Sequence, residues 1–117
     1  MKRVNPLKSM QALGRLKAGK MNQTEAAYSR KLELMKAAGD IAWYSFEGLK
    51  FRLADNTFYT PDFPVMCADG VMEIHEVKGF WTDDARVKIK LAAELFPFRF
   101  VAVKKGKGGQ WAYEYFD

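Results

Sequence analysis

Residues 59–79 read YTPDFPVMCADGVMEIHEVKG, and the fold turns on how this stretch is organised. The run 71–78 is short, β-branched and aliphatic, which predicts a strand. Its apolar pattern is broken by an acid and a base two residues apart, Glu76 and Lys78. Side chains alternate along a strand, so these two point to the same face. Asp69-Gly70 between two apolar runs is a hairpin signal. The hairpin folds residues 58–66 back against the second strand and can bring Asp62 near Glu76. Pro61 limits ladder pairing, so a kink or a sheet margin is expected there. Two acids at close range repel each other and raise a pKa. A divalent cation would remove that repulsion.

Working outward, residues 24–38 carry the clearest helical pattern. Asn22 followed by Glu25 has the spacing of a capping box, with Thr24 as a competing N-cap. Gly39 suits the position after the helix end. Tyr28, Leu32 and Met35 form its apolar stripe, and Glu25 lies one turn before Tyr28. Two short β runs, 41–46 and 49–53, flank Glu47-Gly48. Thr82 is placed to cap a second helix over 83–95, with Asp83 and Asp84 at its positive end. Val87, Leu91 and Leu95 are its expected buried stripe, and Phe96-Pro97 ends it. Strand, helix and the strand 98–103 predict a parallel crossover. Residues 104–109 form a basic, glycine-rich loop that is expected to be mobile. A last strand, 110–116, puts Trp111, Tyr113 and Tyr115 on one face. The architecture is α/β, a mixed sheet flanked by helices.

Pro61-Asp62, a gap, then Glu76-Val77-Lys78 resembles the PD-(D/E)xK nuclease motif. Lys78-Gly79-Phe80 and the acid on an upstream helix are similar to small phage-type members of that superfamily, including compact Holliday-junction resolvases. The resemblance covers roughly residues 23–103. It implies a restriction-endonuclease-like fold and a Mg2+- or Mn2+-dependent DNA endonuclease. Asp62 and Glu76 would be metal ligands, with the Val77 carbonyl as a third. Glu25 would join the acidic cluster, although capping its own helix is the competing role. Lys78 would orient the attacking water or stabilise charge on the phosphoryl group, a task that suits a compact ammonium. Lys88 would contact phosphate, unless it is one more solvated helix lysine. A branched or junction substrate fits a domain with little surface for reading sequence. A junction's two-fold character implies a homodimer.

At 117 residues the chain is expected to form one domain. Cys67 is the single cysteine and His75 the single histidine, which excludes an internal disulfide and cysteine- or histidine-rich metal sites. Carboxylates are the ligands available, and they suit magnesium or manganese. His75 and Glu73 lie on the strand face opposite Glu76 and are read as packing residues. Trp81, beside the motif, is read as core cover or as a stacking surface for a base.

The formal charge is +5, but residues 1–22 alone carry +6 and no acid. That basic arm includes Arg15, Lys17 and Lys20 and suits a polyanion; a solvated leader is the alternative. The body, 23–117, is nearly neutral. No apolar run is long enough for a membrane span and no secretory signal is evident, so an intracellular, cytoplasmic protein is expected. Two further functions compete with the nuclease. One is a non-catalytic nucleic-acid-binding module that uses the same arm and aromatics. The other is an accessory protein on a lapsed nuclease fold, against which intact Asp62, Glu76 and Lys78 argue.

Overall fold

The computed structural model describes residues 19–116. Arg15 and Lys17, with most of the basic arm expected to meet a polyanion, lie outside the described residues; Lys20 is exposed. Helix α1 spans Gln23–Ala37. Its start is fixed by the capping box: Glu25 N–H donates to Asn22 Oδ1 at 2.8 Å, and Asn22 N–H donates to Glu25 Oε1 at 2.9 Å. Thr24 therefore does not cap it. The helix ends at Ala38, and Gly39 follows at φ 85°, a left-handed conformation that glycine adopts without a Cβ penalty.

The strands are β1 (Ile41–Tyr44), β2 (Phe51–Ala54), β3 (Thr57–Tyr59), β4 (Phe63–Cys67), β5 (Met72–Lys78), β6 (Arg99–Lys105) and β7 (Trp111–Phe116), with helix α2 (Asp83–Leu95) between β5 and β6. Five strands make a mixed sheet in the order β1-β4-β5-β6-β7, and β2 and β3 pair separately. β4 and β5 form the expected antiparallel hairpin, with Phe63 opposite His75 and Val65 opposite Glu73. Gly70 turns it at φ 90°. β5 and β6 are parallel, with Glu76 beside Ala102 and Lys78 beside Lys104. This is the crossover that the strand–helix–strand pattern predicts.

The expectation of one strand running through Pro61 is corrected. β3 ends at Tyr59 and β4 begins at Phe63, and the two belong to different sheets. Proline removes a ladder donor, and the chain uses the break to change sheets. The β runs on either side of Glu47-Gly48 likewise do not pair with each other. β1 pairs with β4, and β2 with β3.

Alternation along the strands divides the core into two layers. On one face, Tyr28 and Leu32 of α1 meet Phe63, Val65, Val77, Val101 and Val103. Trp111 packs here too, its ring 5.0 Å from that of Tyr28. On the other face, Ile89 and Ala92 of α2 meet Ile74 and Phe100, and the β2–β3 hairpin adds Phe51, Leu53 and Tyr59. Trp81 packs against this second layer, as core cover.

The stripe expected on α2 is also corrected. Thr82 caps the helix as read, its hydroxyl accepting from Ala85 N–H at 3.2 Å. However, Val87 is 61% exposed and Leu95 50%, while Ile89 and Ala92 are fully buried. The sheet-facing side carries the small residues Ala85, Ala92 and Ala93, which let the helix lie close to the Phe100 layer. Ile89→Ala is therefore expected to destabilise the fold by about 2–5 kcal/mol. Val87→Ala should stay within about 0.5 kcal/mol. Urea unfolding of the two variants measures both.

Candidate active site

The ladder between β4 and β5 stops at Phe63 and His75. Beyond that point two acidic side chains take over the pairing. Asp62 Oδ2 accepts from Val77 N–H at 2.8 Å, and Glu76 Oε1 accepts from Asp62 N–H at 3.1 Å. Each carboxylate thus satisfies the backbone beside the other. The Asp62 carbonyl accepts from Glu47 N–H at 2.7 Å, which ties the segment to the end of β1. Asp62 and Glu76 are only 5% and 6% exposed.

Glu76 and Lys78 point to the α2 face, as alternation requires. Glu76 Oε2 lies 3.3 Å from Lys78 Nζ. Tyr59 reaches in from the β2–β3 hairpin, and its hydroxyl donates to Glu76 Oε1 at 3.0 Å. Glu25 is buried at the start of α1. It keeps its capping bond, and its charge is near enough to Asp62 to help raise that acid's pKa. The capping and clustering roles of Glu25 are therefore geometrically compatible.

The electrostatics follow from this placement. Burial, then the charge of Glu76, pushes Asp62 up to about 8, against the Val77 N–H, which lowers it. Burial also raises Glu76, although Lys78, the Tyr59 hydroxyl and the Asp62 N–H pull it down. Partial burial alone would lower Lys78, but Glu76 and Asp62 outweigh it and keep the ammonium more firmly protonated than usual. Three acids face one base. Without a further cation, the buried pair relieves its repulsion by holding a proton.

Glu76 and Lys78 open into a cleft of about 270 Å³, lined also by Phe58, Tyr59, Thr60, Asp84, Ala85 and Lys88. The structure thus brings Lys88 into the same cleft as Glu76 and Lys78, with Asp84 one helical turn before it. Lys90 is not part of that lining. On the opposite face His75 is a packing residue, held by Tyr28 OH at 2.7 Å and Glu73 at 2.9 Å. Glu73 also pairs with Arg99 at 3.2 Å, and these partners lower its pKa.

The donors Asp62, Glu76 and the Val77 carbonyl are all oxygen, the chemistry a hard divalent cation takes. Among the described residues no group of three or more His, Cys, Asp or Glu side chains is arranged as a ready metal cage. Val77 N–H, Tyr59 and Lys78 engage the Asp62 and Glu76 carboxylates, and Glu25 caps its helix.

Sequence reasoning missed Tyr59, Thr60 and Phe58. Phe58 and Tyr59 come from β3, outside the main sheet, and Thr60 follows it; alternation along the β4–β5 hairpin carries no sign of them. No helix among the described residues is long and apolar enough to cross a membrane. Compared with known proteins, the chain matches no family model, no curated protein and no solved structure.

Proposed function

We propose that this protein is a metal-dependent DNA endonuclease with a restriction-endonuclease-like fold, acting on branched or junction DNA inside the cell. One observation carries the reading. Asp62 and Glu76 are buried side by side with Lys78 at the end of the β4–β5 hairpin, beside a cleft that also holds Lys88. The α/β architecture, a mixed sheet with a helix on each face, is consistent with it.

The residues have distinct tasks in this reading. Asp62, Glu76 and the Val77 carbonyl would hold Mg2+ or Mn2+, and Glu25 would support the cluster through Asp62. When bound, the cation supplies a water of lowered pKa and neutralises phosphoryl oxygens. Lys78, beside Glu76, would orient the nucleophile or meet charge developing on the phosphoryl group. Lys88 holds a phosphate at the far wall, and the basic arm with Arg15, Lys17 and Lys20 adds affinity that falls with salt. A homodimer belongs to the same proposal through the two-fold character of a junction, and sedimentation reports it.

Cleavage of labelled duplex, flap and four-way junction DNA in magnesium, with none in EDTA, is the expected result. Cleavage equal in both conditions, or none on any substrate, rejects the proposal. Magnesium-independent, salt-sensitive binding without cleavage would leave a nucleic-acid-binding module.

Asp62→Asn and Lys78→Ala should each lower cleavage by at least about 100-fold while DNA binding is retained. Asparagine can still accept the Val77 N–H, so the first variant should keep the fold, as circular dichroism can check. It should also melt higher than wild type at pH 8 without metal, because a buried charge has been removed.

The proton held by the acidic pair sets a pH dependence. The folded Asp62 pKa lies above its unfolded value, so this group's contribution to stability is complete below about pH 4 and is lost as pH rises through about 8. A bound divalent cation replaces that proton. Manganese should therefore raise the melting temperature more at pH 8 than at pH 5.5, by about 4–8 °C for each kcal/mol gained. Equal gains at both pH values would rule out a cation at Asp62 and Glu76.

A further inference from the structure

The β2–β3 hairpin stands apart from the main sheet and forms one wall of the Glu76–Lys78 cleft. Tyr59 is buried and reaches Glu76, whereas Phe58 stays 45% exposed at the rim. Phe51, Leu53 and Tyr59 anchor the hairpin in the core, and Phe58 is not among its buried residues. Lys50 places its ammonium 4.6 Å from the Phe58 ring centre. An exposed aromatic ring beside a cation, on the wall of a cleft with Lys78 and Lys88, has the chemistry of a site for a base and its phosphate. The acids Glu76 and Asp84 line the same cleft, and Lys78 and Lys88 stand beside them.

Size limits the occupant. A cleft of about 270 Å³ falls near the lower end of small-molecule sites, roughly 300–1,000 Å³. That scale suits a single small group such as a base or a phosphate. We propose that the β2–β3 hairpin recognises an unpaired nucleotide beside the scissile phosphate, with Phe58 stacking on the base and Lys50 meeting the adjoining phosphate. The inference rests on the nuclease reading and narrows its substrate to DNA with an unpaired strand at the cut, such as a flap or an opened junction arm.

The test uses the full chain in EDTA, where the proposed reaction is off. The probe is a 12-nucleotide oligothymidylate with one 2-aminopurine, whose fluorescence falls on stacking. Wild type should quench it. Phe58→Ala should weaken binding by about 5- to 100-fold, the range for loss of one stacked base, and Phe58→Trp should restore it. A fully paired hairpin duplex should bind both variants within about twofold of wild type, the scale of an unchanged contact set. The exposed position of Phe58 makes loss of fold no obstacle. Unchanged quenching in Phe58→Ala, or an equal loss on the paired duplex, overturns the inference. Magnesium-dependent cleavage by wild type without quenching sinks the inference alone and leaves the nuclease reading standing. Quenching without cleavage on any substrate removes the nuclease reading and keeps Phe58 as a stacking residue.

Discussion

The exchange between Asp62 and Glu76 organises this end of the molecule. A hairpin ladder normally ends where water can solvate the next backbone groups. Here the next groups are buried, so they need partners from the protein. Asp62 takes the Val77 N–H and Glu76 takes the Asp62 N–H. Two acids thereby become structural elements of the sheet. Their distance from each other is fixed by backbone geometry, and they cannot move apart to lower their repulsion. Everything polar nearby answers that constraint: Tyr59 donates to Glu76, and Lys78 lies against its other oxygen.

The location of the site follows from the division of the core. Alternation along β5 sends Val77 into the α1 layer and Ile74 into the α2 layer. The acids sit at the strand ends, at the seam between these layers. Pro61 creates the seam by ending one strand before the next begins in another sheet. The same break frees the β2–β3 hairpin to lean over the α2 face, where its inner residues pack and Phe58 stays at the edge of the cleft.

Much of this was legible in the chain because local rules and the global fold agree. Asn22 and Glu25 mark a helix start by their spacing, and the capping box forms as read. Asp69-Gly70 closes the hairpin, and the parity of Glu76 and Lys78 places them on one face. The stripe of α2 was misread because hydrophobicity alone favours Val87, Leu91 and Leu95. Position round the helix decides instead: Ala85, Ile89, Ala92 and Ala93 share the face toward Phe100, while Val87 and Leu91 lie about 200° round from Ile89 and stay out. The second sheet was invisible for a different reason. Proline signals that a strand is interrupted, but where the chain goes next depends on contacts far apart in sequence. Tyr59 and the cleft wall therefore appear only with the tertiary structure.

What argues for function is that the fold does not require this charge. Well-packed apolar side chains of similar volume often stabilise a protein more than a buried ion pair does. The backbone bonds that Asp62 makes could be made by a neutral asparagine. Placing Asp62, Glu76 and Glu25 around a single lysine leaves the cluster short of positive charge and holds Asp62 protonated near neutral pH. The proposed cation and phosphate site rests on this buried cluster, short of positive charge and beside a cleft with lysine and aromatic walls. That conjunction, more than either feature alone, favours a phosphodiester substrate over a scaffold role.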